Sequence, residues 1–265
     1  MEHTAGLTYR TDKWWIQPIS VLVGLGAFVV YSTWAGMQGA YYYFDPYLSP
    51  FYSPLLFVKE GVAGGAPLSH AWFGSWPKWW PDFFLLPASP AILILIFPGT
   101  FRLTCYYYRK AYYRAFTWTP PACGVGAIQQ KNYKGETGLL IFQNLHRFTL
   151  YFAIIFIFIL YYDAYQAFFY KGKFGIGVGT IILLITPTLL ACYTFGCHSF
   201  RHLIGGGSDC FSCSRVRYGA WKKVTFLNER HQLFAWLSLF AVGLADLYVR
   251  LVSSGIIHDF NTWGV

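Results

Sequence analysis

Two pairs of side chains late in the sequence have the types and the spacing of metal ligands. Cys210 and Cys213 form a C-x-x-C pair, a spacing that lets two thiolates reach one metal ion. His198 and His202 are four residues apart, so on a helix they share one face. Two thiolates and two imidazoles suit a structural zinc site or a [2Fe–2S] cluster of Rieske type. We predict these four residues as the ligands.

Further cysteines and histidines fall in the same part of the predicted topology. His231 is the strongest reserve ligand, followed by Cys197 and Cys105. One haem held by two histidines also remains open at this stage, with His202 and either His231 or His146 as axial ligands. The cysteines lie on the predicted inner side, which is reducing, so we expect no structural disulfide among them.

The composition indicates the kind of element that positions these residues. Of the 265 residues, 55% are hydrophobic, 22% are aromatic and only 12% are charged. A soluble domain carries about twice that share of charged residues, so a soluble protein is excluded. A disordered chain is excluded because so many residues are hydrophobic. The net charge of +9 does not indicate nucleic-acid binding, because the basic residues are sparse and separate long apolar runs. The sequence predicts an integral membrane protein in contact with lipid.

Five apolar runs are long enough to cross a bilayer as helices, which takes about 20 residues each. Because they lack the alternation of barrel strands, the predicted fold is an all-α bundle of five transmembrane helices. A long outer loop follows the first helix, and residues 1–265 form a single transmembrane anchor domain. The predicted helices span about 14–34, 85–108, 148–169, 176–200 and 233–252.

The basic residues predict the orientation of the bundle. With the N-terminus inside, segments 1–14, 101–149 and 201–232 face the cytoplasm and hold 15 of the 20 Lys and Arg residues. We therefore expect a multi-pass protein of the cell inner (plasma) membrane, N-in and C-out, with the metal side facing the cytoplasm. A basic inner rim is the expected docking surface for soluble partners, beside its contribution to the positive-inside bias: Arg102, Arg109, Lys110, Arg114, Arg215, Arg217, Lys222 and Lys223.

Two short motifs carry a family resemblance. Residues Asn144–Thr149, with sequence NLHRFT, resemble the LHRxS stretch that opens the first helix of succinate dehydrogenase cytochrome b anchor subunits. Arg201-His202-Leu203, followed by Asp209, resembles the RHLxxD stretch that ends their second helix, and the LTCY sequence at residues 103–106 is similar to the LTDY ending of the partner anchor. The resemblance covers about residues 85–253 and implies two anchors fused into one chain.

One departure from the haem-bearing family is informative. Phe195 occupies the position of the axial histidine, seven residues before His202. The chain therefore resembles the single-subunit actinobacterial, or mycobacterial, type of respiratory complex II anchor. That resemblance implies a Rieske-type [2Fe–2S] cluster in place of haem.

The resemblance also implies a function and partners. The chain would anchor the flavoprotein and iron–sulfur subunits of succinate dehydrogenase, pass electrons through the cluster and reduce menaquinone or ubiquinone. The succinate site would lie on another subunit, and the complex could form a higher oligomer. The expected quinone-binding residues are Tyr106, Gln143, His146 and Arg147. Two alternatives stay open: a monohaem b quinone-reductase anchor, and a non-redox membrane protein with a structural zinc site.

Overall fold

The chain is mostly helical. The computed structural model describes residues 5–80, 89–128, 137–210 and 212–264, with the backbone alone for residues 137–140. The helices in these ranges are α1 (Ile16–Gln38), α2 (Pro90–Leu103), α3 (Tyr106–Ala111), α4 (Thr137–Asn144), α5 (His146–Gln166), α6 (Val178–Phe195), α7 (His198–Gly205), α8 (Arg215–Glu229) and α9 (His231–Ser253). A short π-helix, Tyr112–Phe116, continues α3.

The apolar helices form a membrane bundle, as the composition predicts. Within the described ranges, α1, α5, α6 and α9 are each long and apolar enough to span a bilayer. Helix α2 and the segment Tyr106–Phe116 make a fifth span if they are taken together, with a bend of 72° between them. The all-α membrane bundle of the sequence analysis is thereby confirmed.

Two predicted helices are shorter than expected, because the chain breaks where the apolar character continues. The prediction of one helix over 85–108 is wrong beyond Leu103, since Cys105 adopts extended backbone. The prediction of a helix over 176–200 is wrong beyond Phe195, since Cys197 is extended in the same way. Residues 85–88 of the predicted second helix lie outside the described residues.

A close approach between elements explains the second break. A Cβ atom added to Gly196 would lie 2.7 Å from the carbonyl oxygen of Cys192 and 2.9 Å from that of Leu227. Asn228 also donates its side-chain amide to the Gly196 carbonyl, at 2.8 Å. The end of α6 therefore lies directly against the end of α8, and the chain has to turn there.

The long loop after α1 packs onto one end of the bundle. Residues 39–80 contain the paired strands β1 (Tyr43–Phe44) and β2 (Tyr47–Leu48) and a 3₁₀ turn, Leu68–His70. Fully buried tyrosines fix this segment: Tyr47 donates to Asp259 at 2.7 Å, and Tyr52 donates to the Ala35 carbonyl at 2.7 Å. We call the end of the bundle that residues 39–80 cover the loop end. A second hairpin there joins β3 (Phe169–Tyr170) to β4 (Lys173–Phe174).

The opposite end, where α2 and α6 finish and α5 and α9 begin, is the histidine end. Phe101, at the finish of α2, packs against Tyr193 of α6 with ring centroids 5.7 Å apart. Along the bundle α9 packs on α6, α6 on α5 and α5 on α2. Buried small residues on α9, such as Ala235 and Ala245, let the helices approach closely. The packing thereby fixes the helix ends that carry the predicted site.

Candidate functional site

A cavity of about 980 Å³ opens at the histidine end. All four residues expected to bind quinone line it: Tyr106, Gln143, His146 and Arg147. Its other lining residues include Cys105, Cys197, His198, His202 and His231. Residues from six separate helices therefore converge on one space, and a ligand of quinone size is well within its volume.

The two helix breaks position both buried cysteines of this site. Cys105 directly precedes α3, and Cys197 directly precedes α7. The Cys197 sulfur accepts a hydrogen bond from the Phe200 backbone N–H at 3.2 Å. Both thiols are almost fully enclosed, with exposures of 2% and 0%. A helix N-terminus favours negative charge, and the Cys197 sulfur lies at such an end, beside the Phe200 N–H.

Enclosure acts against that stabilisation for the free thiol. Burial raises the pKa of the Cys197 thiol to about 12, and the backbone N–H groups of Phe200 and Ser199 offset only part of the increase. The thiolate would therefore require a cationic partner such as a metal ion, which deprotonates a coordinating thiol outright.

The imidazole of His146 is held in place by contacts with Phe101 and Thr104. Its ring stacks on Phe101 with centroids 4.4 Å apart and an interplanar angle of 11°. Nδ1 lies 3.0 Å from the Phe101 carbonyl oxygen and 3.1 Å from the Thr104 hydroxyl. The tautomer that donates from Nδ1 to the carbonyl leaves Nε2 as a lone-pair donor. This arrangement, with one ring nitrogen on a backbone carbonyl, is typical of metal-binding histidines.

His231 lines the same cavity as His146 and lies beside Cys105. Its Nε2 is 3.4 Å from the Cys105 sulfur, and its ring stacks on Tyr193 with centroids 4.8 Å apart. Its Nδ1 is buried. Nε2, the ring nitrogen beside the Cys105 sulfur, is the candidate ligand atom.

The four predicted ligands are divided between two places in the structure. Cys210 and Cys213 form a disulfide with their Cα atoms 5.5 Å apart, a separation that suits a bridge. The expectation of no disulfide is therefore wrong for this pair, and the bond leaves neither sulfur free as a thiolate. Neither cysteine lines the cavity, whereas His198 and His202 do, with exposed side chains.

The described residues contain no group of three His, Cys, Asp or Glu side chains that could share a single metal ion. A single tetrahedral zinc site is therefore not preformed in them. A two-iron cluster has a different requirement, because it spreads four ligands over two irons. Two buried cysteines and two anchored histidines along one cavity fit that requirement in number and in type.

Some residues of the predicted basic rim are buried or partly buried in the bundle, and others are exposed at its surface. Arg102 and Arg109 are not rim residues: Arg102 donates to groups inside the bundle, and Arg109 is 9% exposed beneath the Tyr106 ring. Arg217 closes the loop after α7 through the carbonyls of Ile204 and Gly206. Exposed basic side chains do occur on α8, at Arg215, Lys222 and Lys223, and at Lys110 of α3.

The part played by Tyr193 was not predicted from the sequence. This side chain is 1% exposed, the Arg102 guanidinium lies 4.7 Å from its ring centroid, and the His231 ring stacks on it. In the sequence Tyr193 is one more aromatic residue in an apolar run. Its position three residues before the Gly196 break, near the histidine end of α6, was the available signal.

Comparison with known proteins agrees with this architecture. A chain of the Mycobacterium smegmatis Sdh1 complex in the apo form is 42% identical to this chain and superposes with a TM-score of 0.84, covering 95% of this chain and 92% of that one. No curated protein sequence matches. The sequence model described as actinobacterial succinate dehydrogenase subunit SdhC matches residues 16–255. The chain therefore belongs to the actinobacterial family of succinate dehydrogenase subunit SdhC.

Proposed function

We propose that this membrane subunit of succinate dehydrogenase passes electrons to a quinone in the cavity at its histidine end. The observation that carries the proposal is the convergence of Tyr106, Gln143, His146 and Arg147 on that one cavity. Its apolar walls suit a quinone ring, and its polar groups suit the two carbonyl oxygens.

Quinone binding requires hydrogen-bond donors in the cavity wall. Gln143 contributes one, since its Nε2 is buried and has no partner among the described residues. The Arg147 guanidinium and the Tyr106 hydroxyl supply further donors. Reduction to the quinol consumes two electrons and two protons, and negative charge develops on the carbonyl oxygens. A cationic guanidinium and neutral donors stabilise that charge.

We propose further that Cys105, Cys197, His146 and His231 hold a [2Fe–2S] cluster, in place of the ligands predicted from the sequence. Support comes from the two enclosed sulfurs, the Nδ1 of His146 held by the Phe101 carbonyl, and the His231 Nε2 beside the Cys105 sulfur. When bound, such a cluster would carry one electron at a time. Histidine ligands raise the reduction potential above that of an all-cysteine cluster.

The histidine end is proposed to face the cytoplasm and to anchor the flavoprotein and iron–sulfur subunits. Most of the basic residues lie in segments at this end, as the positive-inside rule requires of a cytoplasmic face. Exposed cations at Arg215, Lys222 and Lys223 then lie where soluble partners would dock. Succinate oxidation belongs to those partners, and this chain receives their electrons.

Low-temperature EPR on the reduced, purified complex tests the cluster. We expect a rhombic Rieske-type signal that Cys105→Ser and Cys197→Ser each abolish, together with quinone reduction. Cys192→Ser is the matched control, because Cys192 lies within α6 and does not line the cavity. Double replacement of Cys210 and Cys213 by serine should also keep the signal.

Three other results would overturn parts of this proposal. A haem absorption band without the EPR signal would make the histidines axial haem ligands. Loss of the signal only in the Cys210 and Cys213 variant would return the cluster to the loop after α7. Quinone reduction that survives without any centre would remove the cluster from the pathway.

A further inference from the structure

We propose that Arg102 is the fixed positive charge that raises the reduction potential of the cluster at the histidine end; this inference rests on the proposed function. Arg102 lies in the last turn of α2. Its guanidinium donates to the Tyr108 hydroxyl at 2.8 Å, to the Ala235 carbonyl at 3.2 Å and to the Ser238 hydroxyl at 2.8 Å. The side chain is thereby locked into one position at the end of a span.

All of these partners are neutral. Within the part of the chain that the structure describes, no Asp or Glu lies within ion-pair distance of Arg102. Arg250, another arginine held inside the bundle, differs in this respect, because its Nε pairs with Asp246. Burying an unpaired charge in an apolar bundle costs free energy. Such a charge is therefore a candidate for a functional role.

The geometry identifies the group that the charge serves. The Arg102 guanidinium lies over the Tyr193 ring at 4.7 Å, and the same ring stacks on His231 at 4.8 Å. The cation and the imidazole therefore contact the same aromatic ring. Cys105 follows three residues later in the chain, with its sulfur 3.4 Å from His231. The cation thus lies close to one thiol and one histidine of the proposed centre.

A nearby positive charge has a defined effect on such a centre. Reduction adds one negative charge to the cluster, and a cation in a medium of low dielectric constant stabilises the product more than the reactant. Arg102 thereby favours arrival of the electron from the soluble subunits. It touches neither the quinone nor the thiols directly, so it is a positioning residue whose contribution is electrostatic.

An EPR-monitored redox titration of the cluster in the intact complex separates this role from a structural one. Arg102→Gln should lower the midpoint potential by about 59 mV or more, equal to at least a tenfold change in the one-electron equilibrium. Arg102→Lys keeps the charge and should hold the midpoint near that of the parent. Ser238→Ala removes one hydrogen bond of the guanidinium and keeps the charge, so the midpoint should stay unchanged.

Lys173→Gln is the control for charge removal, because Lys173 is exposed at the loop end; its midpoint should equal that of the parent. An unmoved midpoint in Arg102→Gln, or an equal decrease in Ser238→Ala, would overturn the inference. If Arg102→Gln does not assemble, Arg102→Lys decides: a large decrease there shows that the hydrogen bonds matter and the charge does not. Absence of any cluster signal in the parent complex would sink the proposed function instead.

Discussion

Nε of Arg250 lies 2.7 Å from Oδ2 of Asp246, one turn away on α9, in an ion pair sealed inside the loop end of the bundle. Asp246 is 0% exposed and Arg250 is 5% exposed. The other nitrogens of the guanidinium donate to Gln38 Oε1 and to the carbonyls of Ala35 and Ala40. This pair therefore fastens the end of α1 and the start of the long loop to the last span.

Removing one member of this pair should destabilise the protein strongly. Arg250→Met leaves the carboxylate buried with only the Tyr31 and Ser49 hydroxyls as partners, and breaking such a pair costs about 3–5 kcal/mol. We expect a markedly lower melting temperature for the purified chain in detergent. The double variant that adds Asp246→Asn should recover part of the loss, because no unpaired charge remains.

The exposed pair of Arg10 with Asp12 is the control. Asp12→Asn removes a carboxylate that is 56% exposed, so we expect no measurable change in melting temperature. Equal effects of Arg250→Met and Asp12→Asn would show that burial does not give the inner pair its importance.

Two glycine-to-alanine replacements should shift stability in opposite directions. A Cβ atom at Gly179 would lie 2.6 Å from the Tyr47 ring, and that ring is fully buried, so Gly179→Ala should cost about 1–3 kcal/mol. Nothing lies within 4 Å of a Cβ atom at Gly219 in α8. Gly219→Ala should therefore gain about 1 kcal/mol from helix propensity. Thermal unfolding of both variants measures the difference, and a loss of stability in Gly219→Ala would contradict the open space there.

Hydropathy predicts the spans well, because crossing a bilayer depends on summed apolar character. The bounds of α1, α5 and α9 differ from the predicted ones by only a few residues. It predicts the breaks poorly. Tyr106 and its neighbours continue the apolar run past Cys105, and only the tertiary contact at Gly196 ends α6. Both breaks place a cysteine directly before a helix.

Gln143 should contribute to quinone affinity through its buried, partnerless amide. Gln143→Leu removes one neutral hydrogen bond, worth about 1 kcal/mol, so we expect a several-fold rise in the KM for quinone. Succinate oxidation with an artificial acceptor should stay unchanged, since it does not need the cavity. Gln166→Leu, on the exposed loop end of α5, is the matched control. An unchanged KM in Gln143→Leu would remove this residue from the quinone site.

The ligand prediction shows what spacing alone can and cannot establish. His146 and His231 were recognisable as candidates, and the structure gives each a geometry suited to coordination. The C-x-x-C pair looked stronger in the sequence, because local spacing is all that a motif records. Whether two cysteines bind a metal or each other depends on redox state and on what lies opposite them in space. The two intervening positions of the motif indicate neither property.

Differential alkylation tests the cysteine assignments independently of activity. Without reductant, an iodoacetamide-type reagent should modify the exposed Cys123 and leave Cys210 and Cys213 unmodified, because their sulfurs are bonded to each other. A dithiol reductant should then make both reactive, since Cys213 is exposed and Cys210 is partly so. The enclosed Cys105 should resist under both conditions. Mass spectrometry of peptides gives the result, and modification of Cys210 and Cys213 without reductant would show free thiols and reopen their role as metal ligands.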